Sequence, residues 1–345
     1  MTDGALAERL ATDATEPRIV TLPDGSVDTY YDVFDERGER ISTRDAFADR
    51  LGRGNHESVP LEQLSRESGG QAVNMAKQAH ALNAETVCYG HLDDPVFDDL
   101  PMETHSMGEP AHVSIFSFDD EDLLLAERSP AVANWSLADL EAASPDPTVG
   151  DALDADAICC GNWASVDGLA RALETLAAVP LEAGTLVLDP GSIRRRPRGE
   201  ALSLLDALGR LDERTDVVLS VNETEFGGLV ERVEDGSVQA DGDRGRLDRV
   251  RESAGVSAVV VHAVDAAMAA TRGGVRRVET LEVDRPVRRT GAGDRFSAGL
   301  AVGRASGWDW ETALALGNAC AAYAVETAST GTRADLRSFV ARRRS

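Results

Sequence analysis

The sequence predicts an α/β fold, a mainly parallel central sheet with helices on both faces. Three observations carry this. From about Asp151 onward, short apolar β-like runs alternate with amphipathic helical stretches. Strands separated by helices need crossover connections, and those build parallel sheets covered on both sides. The polar clusters Asp189-Pro190-Gly191-Ser192 and Asn222-Glu223-Thr224-Glu225 follow two of those runs immediately. In open α/β sheets, ligands bind beyond the carboxyl ends of the strands. Finally, the turn Arg288 to Phe296 feeds an apolar, small-residue helix. Amides that open a helix lack partners inside it and sit at its positive end, which suits an anion.

Size and charge set the bounds. The chain has 345 residues, 42% of them hydrophobic, enough for a sizeable core. It shows no internal repeat, low-complexity linker or clear boundary, so a single domain over residues 1–345 is expected. No run of about 18 uncharged apolar residues is present, which excludes a helical membrane span. Met1 to Glu16 is acidic and lacks the apolar segment of a secretory signal, so a cytoplasmic protein is expected. Sixty acidic residues stand against 35 basic ones, a net charge of -25, and Lys77 is the only lysine. Such a surface repels nucleic acid and anionic membrane, and neither is expected as a partner. Self-repulsion of this size is screened by concentrated salt, so a salt-rich, halophilic setting is expected. Cys88, Cys159, Cys160 and Cys320 have no CxxC spacing and lie in apolar runs, as buried thiols of a reducing compartment do.

Taken in order, Arg18 to Leu22 is a β run closed by the turn signal Pro23-Asp24-Gly25-Ser26. Asp28 to Asp35 alternates aromatic or apolar with polar residues, a strand with one wet face. Glu36 to Ser68 is polar and charged and is expected as short strands and loops of a flap. Gly69-Gly70 opens a helix over Gln71 to Leu82, where Ala72, Met75, Ala76, Ala79 and Leu82 recur at helical spacing. Asn74 is the polar exception in its first turn, a local hydrogen-bonder or a ligand contact. Glu85 to His91 reads as a buried strand. His112 to Phe118 and Leu123 to Glu127 flank the acidic turn Asp119 to Asp122 as a hairpin.

The second half reads as strands at Ala155–Cys160, Gly184–Leu188, Asp216–Val221, Val256–Val261 and Val275–Val283. Helices are expected at Val166–Ala178, Gly199–Leu208, after Asn222, and over Ala292–Ser306, Trp310–Glu326 and Arg333–Arg343. The six histidines are scattered without metal spacing. The acidic runs Asp119 to Asp122 and Asp241 to Asp243 lack the alternating ligands and terminal Glu of a calcium loop.

Four sites then stand in a telling order: Gly69-Gly70 with Asn74, Asp189, Asn222 to Glu225, and Gly291 to Asp294. Gly291-Ala292-Gly293-Asp294-Arg295-Phe296 followed by Gly299 resembles the C-terminal GAGDxFxxG signature of the ribokinase-like carbohydrate kinase family, also called the PfkB family. Gly69-Gly70 with Asn74 and Ala76 is similar to its GGxxxNxA signature, and Asn222 with Glu225 to its NxxE motif. The likeness runs from about Gly25 to Gly331.

The resemblance implies a ribokinase-like three-layer sandwich with a mainly parallel central sheet and a small β lid, built from segments near 29–68 and 111–134. It implies transfer of the ATP γ-phosphate to a hydroxyl of a sugar or sugar-like molecule. Asp294 would be the base for that hydroxyl, and Gly291, Ala292 and Gly293 would supply amides to the transferred phosphoryl. Asn222 and Glu225 would help place Mg²⁺, with Asp189 assisting. Gly69, Gly70, Asn74 and Asp28 would bind the acceptor, and Asn318 would line the adenine pocket. Lids of this family are sometimes shared across dimers, so a homodimer is expected by analogy.

Departures matter as much. Arg288 and Arg289 stand where the family usually has Asp-Thr, which puts a monovalent-cation requirement in doubt; they are phosphate contacts or plain surface arginines. His262-Ala263-Val264-Asp265-Ala266 has no glycine where a glycine-rich nucleotide loop is usual. Gly191 and Arg194, Arg195 and Arg196 follow Asp189-Pro190, where the family often has Asn and a nearby Arg. Two rival functions stay open: a nucleoside kinase of the same fold, with Tyr30, Tyr31 and Phe34 as candidate stacking groups, and a non-catalytic ligand-binding homologue.

Overall fold

The computed structural model describes residues 2–53, 58–233 and 242–343. Its strands, in chain order, are β1 (Arg18–Leu22), β2 (Ser26–Val33), β3 (Leu61–Gly69), β4 (Glu85–Gly90), β5 (Glu103–Ser106), β6 (Ala111–Phe116), β7 (Leu123–Ala126), β8 (Ala157–Gly161), β9 (Thr185–Asp189), β10 (Asp216–Asn222), β11 (Ala258–His262), β12 (Ala266–Thr271) and β13 (Gly274–Glu279). Nine of them form one sheet in the order β13-β12-β11-β10-β9-β8-β1-β4-β5. It is parallel from β11 to β5, and only β12 and β13 pair antiparallel. The other four make a small sheet, β3-β2-β6-β7.

Strands buried on both faces show which side each residue serves. Along β8 and β9, Ile158, Cys160, Leu186 and Leu188 join a core with helices Leu169–Leu176 and Arg198–Leu211. The alternate residues Ala157, Cys159 and Val187 join a second core with helices Ala292–Ala305 and Trp310–Thr327. The period of two along a strand thus divides one continuous apolar run between two layers. All four cysteines are buried and free, and burial pushes the Cys88 and Cys159 thiols up to about 12. Among the described residues no helix is long and apolar enough to cross a membrane.

Three expectations need correction. The polar segment 36–68 contains a helix, Arg44–Gly52, capped by Thr43, whose side chain accepts from Ala46 N. Its buried Phe47 packs edge-on to Phe116 at 5.8 Å, which anchors a mostly polar helix under the small sheet. An N-terminal helix, Thr2–Thr12, lies where no element was read. β12 lies between β11 and β13; its alanine-rich run has a single β-branched residue, Thr271 at its end, where such residues usually betray a strand. Asp241, within the acidic run 241–243, falls outside the described residues.

Candidate active site

The parallel register brings polar residues together at the carboxyl ends of four neighbouring strands. Gly161 pairs with Asp189 and Asn222 with His262, so Asn162, Asp189, Asn222 and His262 line one edge of the sheet. Facing them is the start of the Ala292–Ala305 helix, which packs beside the Gln71–Ala81 helix.

Gly291 caps that start with φ 76°, a left-handed conformation in which a side chain would strain the backbone. Arg295 Nη1 donates to Gly291 O at 2.8 Å and fastens the turn from inside. Asp294 lies in the helix's first turn and is 8% exposed. Its Oδ2 accepts from Asn74 Nδ2 at 2.8 Å, across 220 residues of sequence. Burial, with Asp24 nearby, holds the Asp294 carboxyl above its ordinary value.

Two further carboxylates share the space. Asp189 is 3% exposed; its Oδ1 accepts from Gln71 Nε2 at 2.9 Å and from Gly191 N at 3.2 Å. Burial first, then the charges of Glu225 and Asp294, raise it well above the carboxylate range. Burial and Asp294 raise Glu225 as well. Asn222 and Glu225 cap one another: Glu225 Oε2 accepts from Asn222 N at 3.0 Å, and Glu225 N donates to Asn222 Oδ1 at 2.9 Å. This leaves Glu225 Oε1 outside the capping pair. Among the described residues no cluster of three or more His, Cys, Asp or Glu is placed as a metal cage.

On the other side of Asp294 is a cavity of about 540 Å³ that also holds Asp24, Asp28, Gly70 and Asn74. Asp28 Oδ1 accepts from Ser26 Oγ at 2.6 Å, and burial raises its pKa to about 6. Gly69 pairs with Ser26 across β2 and β3 and lies against the Asp28 carboxylate. Lys77 is largely buried nearby; its Nζ donates to Ser68 O at 2.5 Å and burial lowers its pKa to about 8. Tyr30, Tyr31 and Phe34 do not line this cavity.

Two more spaces open beyond the Gly291–Asp294 turn. One, about 590 Å³, contains Asp189, Asn222, Glu225, His262 and the Gly291–Asp294 turn. The other is a more apolar cleft of about 640 Å³, with Phe296, Ala322 and Val325 on its walls. Asn318 lines that cleft, and its Nδ2 donates to Glu279 O at 3.2 Å.

The two arginines before the turn part company. Arg288 Nη1 and Nη2 donate to Glu67 of β3 at 2.9 and 3.3 Å, and the guanidinium lies 4.0 Å from the centroid of the Tyr30 ring. It therefore ties the small sheet to the main body. Thr290 Oγ1 adds a bond to Asp122 at 3.1 Å. Arg289 is exposed and reaches the cavity beside Asp294.

Several of these residues escaped the sequence. Asp24 accepts from Gln71 N, Ala72 N and Asn162 Nδ2 at 3.1, 2.8 and 2.8 Å. It caps the Gln71–Ala81 helix and joins it to the end of β8. In the sequence Asp24 stands only as part of a turn signal. Asn162 follows β8 just as Asn222 ends β10, so the strand-end rule applied to every strand would have found it.

A mostly parallel nine-stranded sheet with a capped, carboxylate-bearing helix start facing its strand ends is a ribokinase-like α/β fold. Ribokinase of Thermotoga maritima aligns with a TM-score of 0.66 at 16% identity, over 94% of this chain and 98% of that one. Adenosine kinase of Sinorhizobium meliloti aligns with a TM-score of 0.67 at 19% identity, over 96% and 100%. The chain belongs to the prokaryotic ketohexokinase family, whose model matches residues 4–342, and is a carbohydrate kinase. A ketohexokinase of Haloferax volcanii is 29% identical over 345 residues, 92% of this chain and 88% of that protein.

Proposed function

We propose that this protein transfers the γ-phosphate of ATP to a hydroxyl of a ketohexose, with Asp294 as the base. The observation that carries this reading is the position of Asp294. It borders both the 540 Å³ cavity with Asp28 and Asn74 and the 590 Å³ cavity with the strand-end polar residues. A sugar in the first would hydrogen-bond Asp28, Asn74 and the Gly69-Gly70 turn. Its hydroxyl proton passes to an Asp294 oxygen as the sugar oxygen bonds the γ-phosphorus. The bond from that phosphorus to the β–γ bridging oxygen breaks, and ADP leaves.

Such a transfer needs alignment and charge stabilisation more than covalent help. The amide of Gly293, at the helix start, would face the equatorial oxygens, while the Ala292 amide is held by Arg289 O at 3.2 Å. Asp189 is buried, Glu225 is half-buried, and the charge of Glu225 helps raise Asp189, so the pair fits a divalent ion held partly by phosphate and water. Asn222, Glu225 and Asp189 would hold Mg²⁺, which supplies charge neutralisation on the phosphates. The chain acts as one domain in this reading. The small sheet closes over the acceptor, held by Arg288 on Glu67.

The test is ADP release by purified protein with ATP and Mg²⁺ in molar KCl, offered ketohexoses, aldoses and nucleosides. Release with ketohexoses is expected. Release with nucleosides alone would reassign the acceptor, and no release with any of them would favour a binding protein.

A further inference from the structure

Two cavities meet at a neck. The cavity beside Asp294 and the apolar cleft share Asn222, His262, Pro286, Arg289 and Gly293. Resting on the kinase reading above, a donor whose base lies in the apolar cleft must pass its phosphate chain through this neck to reach Asp294. The backbone after β11 offers no glycine-rich cradle there. Within the segment 262–266, Ala263 N is already spent on Ala266 O at 3.1 Å, and Val264 is turned to solvent.

Two side chains stand in the neck instead. His262 Nε2 is buried and has no hydrogen-bond partner. Its ring leans on Phe296, centroids 4.8 Å apart, and a methyl group on Gly293 would lie 3.1 Å from its Cε1. Burial lowers its pKa to about 4, so at neutral pH the ring is uncharged and carries one N–H. The Arg289 carbonyl accepts from Ala292 N at 3.2 Å, but its side chain makes no hydrogen bond or ion pair among the described residues, whereas Arg288 is taken up by Glu67 and Tyr30. The walls otherwise carry carboxylates, Asp119 to Asp122 on one side and Asp189, Glu225 and Asp294 on the other. A polyphosphate cannot settle among them without countercharge.

We propose that His262 and Arg289 grip the phosphate chain of the donor nucleotide, taking the place of a backbone cradle. The His262 Nε2–H donates to one phosphate oxygen, and the Arg289 fork pairs with another. Both ligands are side chains, so recognition of the donor depends on its phosphates more than on its base.

The experiment is calorimetric titration of the full chain, without acceptor, with Mg²⁺–ATP and separately with adenosine. Arg289→Gln and His262→Ala should weaken ATP about ten- to a hundredfold, the range of a hydrogen bond to a charged group, and leave adenosine unchanged. His262→Gln, which restores an N–H donor without opening a hole beside Phe296, should recover part of the loss. Equal weakening of ATP and adenosine would reduce His262 to a packing residue of the cleft and overturn the proposal. Unchanged ATP affinity in the variants of a protein that binds ATP would overturn it alone. A wild-type protein that binds no ATP would take the kinase reading down with it.

Discussion

Asp294→Asn separates a catalytic carboxylate from a structural one. In the structure Asp294 accepts one hydrogen bond from Asn74 Nδ2, at 2.8 Å. An amide of the same size keeps that bond through its carbonyl oxygen. What it cannot do is take a proton. Loss of a general base typically costs about 10²–10⁴ in rate, or roughly 3–5 kcal/mol of barrier at about 1.4 kcal/mol per decade. Stability should move the other way or not at all, because the negative charge of Asp294 helps raise both Asp189 and Glu225 above their ordinary values. Removing that charge relieves repulsion among buried groups. The assay is kcat from coupled ADP release at saturating ATP and sugar, alongside a thermal melt and ATP binding. Turnover within tenfold of wild type would refute the base assignment. A loss of activity accompanied by a lower Tm would show that Asp294 holds the fold rather than the proton.

Other expectations follow from the same geometry. Arg288→Ala removes both bonds to Glu67 and the contact over Tyr30, so the sugar KM should rise several-fold while ATP affinity holds; an ATP-specific defect would contradict its role as a tie to the small sheet. The Asp28 carboxyl, raised to about 6 by burial, should protonate as pH falls through that value, and sugar KM should then climb roughly tenfold per pH unit. A sugar KM flat from pH 7 to pH 5 would argue against Asp28 as an acceptor ligand. Its stability contribution runs oppositely: the folded chain holds this proton more tightly than the unfolded one at 3.8, so the contribution is present in acid and lost as pH rises through about 6. With a net charge of -25, the Tm should rise from dilute buffer to molar KCl, where the screening length shrinks to about 3 Å; a higher Tm in dilute buffer would disprove a salt-adapted surface.

The core was legible because buried parallel strands announce themselves. β8 to β11 are short apolar runs, and polar residues stand at or just after their carboxyl ends, where the fold binds its ligands. The Arg44–Gly52 helix was not legible, since its single buried residue, Phe47, leaves no apolar stripe to read. β12 was hidden by alanine, which carries little strand preference and is placed here by its neighbours on both sides. Asp24 looked like an ordinary turn residue because its three partners, at Gln71, Ala72 and Asn162, are far away in the chain.

The sequence by itself determined the kinds of group available: a helix start after a glycine turn, a carboxylate in its first turn, amide and acid side chains at strand ends, and a surface with a large net negative charge. Those follow from local spacing and composition. The tertiary structure decided which of these groups meet. It sent Arg288 to Glu67, 221 residues away, and left its neighbour Arg289 facing the site. It buried His262 Nε2 without a partner and set Asn74 against Asp294. Two adjacent arginines share a local environment in sequence, but a charge takes its role from whatever packing brings within a few ångströms of it.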